Sequence, residues 1–151
     1  MAQWIKTEHD YINTAVRIAV SKHEGQVDKQ GMPYILHPMA VASMVSTPVQ
    51  KCAALLHDIL EDTDMTEERL LKAGIPQRVV EIVKLVSHEK PCEGQEYDAY
   101  LARVKADPDA RAVKLADLEH NTDPERVATD EHAEERAAKY ERAKAFLSAE
   151  D

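Results

Sequence analysis

Glycine is scarce. The chain has four in 151 residues (Gly25, Gly31, Gly74, Gly94), and none stands in a G-x-G-x-x-G turn or a G-x-x-x-x-G-K-[ST] loop. That excludes the Rossmann and P-loop ways of cradling a phosphate, which need glycine where backbone meets anion. Cysteine is scarcer still, with Cys52 and Cys92 too few for a disulfide framework. Positive charge is also short: nineteen Lys and Arg face 28 Asp and Glu, a formal charge of −9. A nucleic-acid backbone is bound through clustered Lys and Arg, so that partner is not expected. A small anionic ligand would need positive charge concentrated locally. No apolar run approaches membrane-spanning length, and the segment Met1 to Lys6 lacks a signal-peptide core. The expectation is a cytoplasmic protein with no membrane partner, its oligomeric state left open.

What is present is helical periodicity. At 44% apolar and 31% charged residues, the length suits one folded domain over 1–151 with a real core. Ile5, Ile12, Val16 and Ala19 line one face of a first helix leading to His23. Thr47-Pro48-Val49-Gln50 reads as a capping box with proline at the first helical position, ahead of the stripe Cys52, Leu55, Leu56 and Ile59. A short helix follows Thr66 and stops near Gly74. The β-branched run from Val79 to Val86 has strand propensity, but its length, its Pro76 start and its spacing predict a helix. Tyr97, Tyr100, Leu101 and Val104 mark another, and Asp107-Pro108 starts one that runs to about Asn121. From about 130 to 148 an amphipathic helix carries Ala133, Ala137, Tyr140 and Leu147. Period-two alternation is hard to find, so the fold class is all-α.

Three stretches look unlike ordinary core. The connection from His23 to Pro38 holds two glycines, two histidines and a lysine between helices. In Ala54 to Asp62, read as one continuous helix, His57 lies one turn from Glu61 and Asp58 one turn from Asp62. One edge beside the apolar stripe then presents an imidazole and three carboxylates, whose repulsion a divalent cation would relieve. In Val113 to Asn121, Lys114, Asp117 and Asn121 share a face, and Asp117 is a remote ligand candidate. The assembled site is His37, His57, Asp58 and Asp117. Two imidazoles and two carboxylates suit Mn²⁺ or Fe²⁺, and Zn²⁺ remains open.

Other conspicuous residues have plainer readings. His88, His120 and His132 read as satisfied core histidines, and His23 is evenly balanced. Cys52 faces the stripe and reads as packing. The Glu/Arg/Lys pattern after Asp130 is a solvated helix face.

The order H…HD…D, carried by His37, His57-Asp58 and Asp117, resembles the HD-domain metal-dependent phosphohydrolases. It is most similar to the hydrolase domain of the RelA/SpoT-type alarmone enzymes and their stand-alone small relatives. Their His-x-Gly-Gln and Gly-x-Pro-Tyr-x-x-His-Pro motifs are matched from His23 to Pro38, their Leu-His-Asp-x-x-Glu-Asp-Thr from Leu56 to Thr63, and their Lys-x-Ala-Asp-x-x-His-Asn from Lys114 to Asn121. The resemblance covers about 10–125. It implies a compact helical HD bundle with one metal, usually Mn²⁺. The implied reaction is hydrolysis of the 3′-pyrophosphate of ppGpp or pppGpp to GDP or GTP. By the same resemblance, His37, His57, Asp58 and Asp117 hold the metal, while Glu61 and Asp62 position water and manage protons. Lys29, Asn121 and Lys114 then contact the substrate. Asp28 departs from the family, which has there an arginine that packs on the base. Leu118 and Thr122-Asp123-Pro124 also replace more basic positions. These departures leave two alternatives, a phosphohydrolase for another nucleotide and a non-catalytic metal-dependent nucleotide sensor.

Overall fold

Short polar caps set the start of three helices, at Thr47, Thr66 and Asp107. The structure is a computed structural model that describes residues 7–126 and 129–150. Ile5, assigned above to the first helix face, lies outside them. Helix α1 spans Tyr11–Lys22, with Ala15 and Ala19 fully buried. Helix α2 spans Leu36–Ser43 and buries His37, Pro38 and Val41. Helix α3, Pro48–Leu56, starts as expected: the Thr47 hydroxyl accepts from the Gln50 amide at 3.1 Å. The Gln50 side chain returns one residue further back, accepting from the Ser46 amide at 3.1 Å.

The structure corrects one expectation. Ala54 to Asp62 is not a continuous helix: α3 ends at Leu56, and a separate turn, α4, runs Ile59–Asp62. His57 and Asp58 lie between them. The His57 amide reaches the Ala54 carbonyl at 3.4 Å, and its ring Nδ1 donates to the same carbonyl at 2.6 Å. A side chain that competes for a backbone acceptor loosens the helical ladder there. The Asp62 amide still donates to the Asp58 carbonyl at 3.0 Å, so those two keep their one-turn relation.

Thr66 caps α5, Glu67–Lys72, and α6 follows as Gln77–Val86, with Val79, Val80, Ile82, Val83 and Val86 buried. Burial of a 3.6-period stripe overrides β-propensity in that run. Helix α7 is Gly94–Lys105 and α8 is Pro108–Asn121. Asp107 caps α8 by accepting from the Asp109 and Ala110 amides, both at 3.0 Å, and Arg78 clasps its carboxylate with two 2.8 Å hydrogen bonds. Helix α9, Ala133–Ser148, begins a turn later than the charge pattern suggests. It buries Ala143 and Leu147, while Ala137 faces outward onto a cleft.

Helix α3 is the hub, packed on α1, α2, α6 and α8; α8 also packs on α2, α6, α7 and α9. One apolar core runs through these helices. Among the described residues the β pairing is a single antiparallel bridge between Val27 and Pro33, in the α1–α2 connection. The fold is all-α. Among the described residues, no helix is long and apolar enough to cross a membrane.

Candidate metal centre

The packing of α2 and α8 against α3 brings together side chains that lie far apart in the chain. His37 comes from the first turn of α2, His57 from the α3–α4 break and Asp117 from the middle of α8. All three are buried, and each offers a ligand atom within 4.8 Å of the others. The two imidazole Nε2 atoms are 3.2 Å apart, and Asp117 Oδ1 stands 2.9 Å from His37 Nε2 and 3.3 Å from His57 Nε2. Asp58 is outside that group of three but adjoins it, with Oδ2 at 3.0 Å from His57 Nε2 and 3.7 Å from His37 Nε2.

This geometry fits a cation. A carbonyl can only accept, so the 2.6 Å contact with Ala54 places a proton on His57 Nδ1. In the neutral ring, the Nε2 lone pair then points at a second imidazole nitrogen and two carboxylates. Acceptors converging in a buried space need a positive charge among them. Without a metal, a proton supplies it. Burial alone would lower the His57 pKa, but Asp58 and Asp117 outweigh it and hold the ring well above the ordinary histidine range. Burial pushes His37 down. Both carboxyls lie below their usual range although burial opposes this, Asp58 through His57 and Asp117 through Lys114 and the imidazoles. Borderline nitrogen donors mixed with oxygen donors suit a first-row divalent ion.

A ring of donors orients the carboxylates. The Lys114 ammonium donates to Asp117 Oδ2 at 2.9 Å, and Asn121 Nδ2 donates to Oδ1 at 3.1 Å. Burial would lower the Lys114 pKa, but Asp117 outweighs it and keeps the ammonium charged. The Tyr34 hydroxyl donates to Asp58 Oδ2.

Beside this cluster stands the acidic pair of α4. Glu61 Oε1 accepts from the His88 amide at 2.9 Å, and Oε2 lies 3.7 Å from Lys90 Nζ. Burial, with the Asp58 charge added, pushes the Glu61 carboxyl up to about 7, against the pull of the His88 amide and Lys90. Asp62 accepts from Lys90 Nζ at 3.0 Å. Its carbonyl accepts from Gln26 Nε2 at 3.1 Å, and Gln26 Oε1 in turn meets His23 Nδ1 at 2.7 Å. His23 is therefore buried support for α4.

Three members of the cluster, His37, Asp58 and Asp117, line a cleft of about 770 Å³. Its wall is mixed in charge: Lys29, Lys90, Lys114, Arg126, Arg136 and Lys139 stand among carboxylates that include Asp28, Asp58, Glu61, Asp62 and Asp117. Lys29 is exposed and lies 3.6 Å from Asp130, which also holds Arg136 at 2.7 Å. Four of these cations, Lys90, Arg126, Arg136 and Lys139, were not singled out by sequence; scattered on helices and loops, they look like solvated surface. Tyr34, His88 and His120 were also missed in their site roles, although Tyr34 and His120 lie inside the family motifs. Asp28 holds its own loop together, its Oδ1 accepting from the Gln30 amide at 2.8 Å and the Met32 amide at 3.0 Å.

Comparison with known proteins agrees with this architecture. The family described as HD domain matches residues 15–149, and the chain belongs to that family. It is similar to a guanosine-3′,5′-bis(diphosphate) 3′-pyrophosphohydrolase of Haemophilus influenzae, 37% identical over 116 residues, which is 69% of this chain and 17% of that protein. It is 31% identical over 121 residues to the bifunctional (p)ppGpp synthase/hydrolase SpoT of Escherichia coli, covering 73% of this chain and 17% of the relative. The chain thus spans about 17% of the length of these curated relatives. A solved structure of a metazoan ortholog of SpoT, described as hydrolysing ppGpp, superposes with a TM-score of 0.75 and 23% identity. It covers 97% of this chain and 88% of that one, and shares the fold. An HD domain is a metal-dependent unit, and His37, His57 and Asp117 provide a triad for the ion.

Proposed function

We propose that the protein hydrolyses the 3′-pyrophosphate of ppGpp and pppGpp, as one HD-type domain acting in the cytoplasm within the stringent response. Water adds to the phosphorus on the 3′ oxygen, the bond between them breaks, and the 3′ oxygen leaves with a proton. The products are pyrophosphate and GDP or GTP. The observation that carries this reading is the buried convergence of His37, His57 and Asp117, with Asp58 adjoining, at a cleft that also presents lysines and arginines. Relatives bearing that activity in their names add support.

His37, His57, Asp58 and Asp117 would hold a divalent metal, Mn²⁺ being the best match to the donor set and the family. When bound, the ion supplies Lewis acidity at a phosphoryl oxygen and at the attacking water. The other steps belong to the chain. Glu61, half ionised near neutrality, accepts a proton at its carboxylate and returns it. Asp62, tethered by Lys90, shapes the water site. Lys29 contacts substrate phosphate from the cleft wall. Lys114 adds positive potential while orienting Asp117, and Asn121 sits where the nucleoside enters.

A second reading, a different nucleotide substrate, is favoured by Asp28, because a carboxylate that holds a loop cannot stack on a base as a guanidinium does. A panel of nucleotides assayed with Mn²⁺ separates the two. Turnover of ppGpp well above other 3′- and 5′-phosphorylated nucleotides supports the alarmone. Preference for another base supports the second reading. Tight ppGpp binding with no turnover of any nucleotide makes the protein a sensor.

A further inference from the structure

The sequence reads His120 as ordinary packing, yet its ring meets a proposed metal ligand. His120 lies one turn after Asp117 on α8, and its Nδ1 is 2.8 Å from His37 Nδ1. The two ring planes differ by 17° and the centroids are 5.0 Å apart. With the nitrogens that close, the rings meet edge to edge in nearly one plane, the arrangement of a direct N–H···N hydrogen bond. One of the two nitrogens carries the proton.

Which one carries it decides whether His37 can bind a metal. His37 Nε2 faces Asp117 Oδ1 at 2.9 Å and His57 Nε2 at 3.2 Å, so that nitrogen must present its lone pair to a cation placed among them. A neutral imidazole does so only with its proton on Nδ1, and the group facing Nδ1 must then accept. The geometry points to His120 as a positioning residue: its bare Nδ1 accepts the His37 Nδ1–H and locks His37 in the metal-binding tautomer and orientation. This rests on the reading of His37 as a metal ligand. The neighbouring imidazole is fixed differently, because His57 Nδ1 donates to the Ala54 carbonyl, which can only accept. An outer imidazole acceptor serves only as a neutral ring with its own proton on Nε2.

Groups that orient a metal-ligating histidine typically contribute about 10–100-fold to metal affinity. The test titrates the full-length, chelator-stripped chain with Mn²⁺ and counts free ion by electron paramagnetic resonance. His120→Phe keeps a ring of similar bulk but has no acceptor, while His120→Asn places an amide oxygen near the lost Nδ1. Expected are weakening of Mn²⁺ binding by about 10–100-fold in the Phe variant and recovery of most of it in the Asn variant. Unchanged affinity in His120→Phe overturns the inference, and so does equal weakening in both variants, which would make the role one of packing. Absence of Mn²⁺ binding by the unmutated protein instead overturns the metal reading itself. Should the Phe variant fail to fold, ¹⁵N spectra of the Zn²⁺-loaded unmutated protein decide. A protonated His37 Nδ1 coupled across to His120 Nδ1 is expected; a bare or metal-bound His37 Nδ1 contradicts it.

Discussion

Lys114 and Asp117 show how much of this site is electrostatic balance between single residues. Both side chains are nearly closed to solvent, and their contact is 2.9 Å. Removing the Asp117 charge takes away a proposed ligand and also strands a buried ammonium, a loss of about 3–5 kcal/mol when one partner of a buried pair is removed. Asp117→Asn should therefore lose Mn²⁺ binding and melt at lower temperature. Adding Lys114→Met should restore much of the melting temperature without restoring the metal. Calorimetry and metal titration on the two variants check this, and metal recovery in the double variant would move Asp117 out of the ligand set.

Glu61 gives a prediction with a sign. Its folded pKa of about 7 lies above the 4.5 of a free glutamate, so folding favours the protonated form. That stabilising contribution is complete below pH 4.5 and is lost as the pH rises through about 7. In metal-free protein, Glu61→Gln should raise the melting temperature relative to the unmutated chain at pH 8 and leave it unchanged at pH 4. The same substitution should keep Mn²⁺ binding while lowering turnover by about 10²–10⁴-fold, the usual worth of a general acid–base. It should also erase the rise in kcat/KM through neutrality. A pH profile that keeps that limb in the Gln variant assigns it to another group.

At the scale of elements, three helices were legible because their starts carry chemistry: Thr47, Thr66 and Asp107 each accept the expected backbone amides, while α1, α6, α7 and α9 were read from apolar spacing. The α3–α4 break was not. Apolar spacing runs on from Leu55 to Ile59 with no glycine or proline to interrupt it, and the break depends on the His57 ring finding the Ala54 carbonyl. The α1–α2 connection was legible as a functional loop but not in its internal order. There Gly31, at φ 80°, allows the tight return, and Asp28 collects the amides of Gln30 and Met32. Hydrogen exchange should show these two amides protected in the unmutated protein and in Asp28→Asn, which keeps the accepting oxygen. In Asp28→Ala they should exchange faster. Equal exchange in all three would mean that Asp28 is free to face a ligand.

Across the whole molecule, acidic charge is in excess, but cations are not absent from the site. The chain carries −9 overall, and in its cleft Lys29, Lys90, Arg126, Arg136 and Lys139 stand among the carboxylates around the buried cluster. Composition could not reveal that, because the sum is blind to where helices place their charges. The convergence of His37, His57 and Asp117 was legible because they fall in dense motifs of rare residue types. An anionic nucleotide drawn in by local potential should show KM rising with added salt, as the screening length shrinks below about 10 Å, with kcat nearly constant. A KM indifferent to salt would leave the cationic wall without a part in capture.

The most direct test of the central claim is pyrophosphate release from ppGpp by the chelator-stripped chain before and after Mn²⁺ is restored. The account predicts no release without metal, and equal amounts of pyrophosphate and GDP once Mn²⁺ is bound. Folded, metal-loaded protein that leaves ppGpp intact would contradict it.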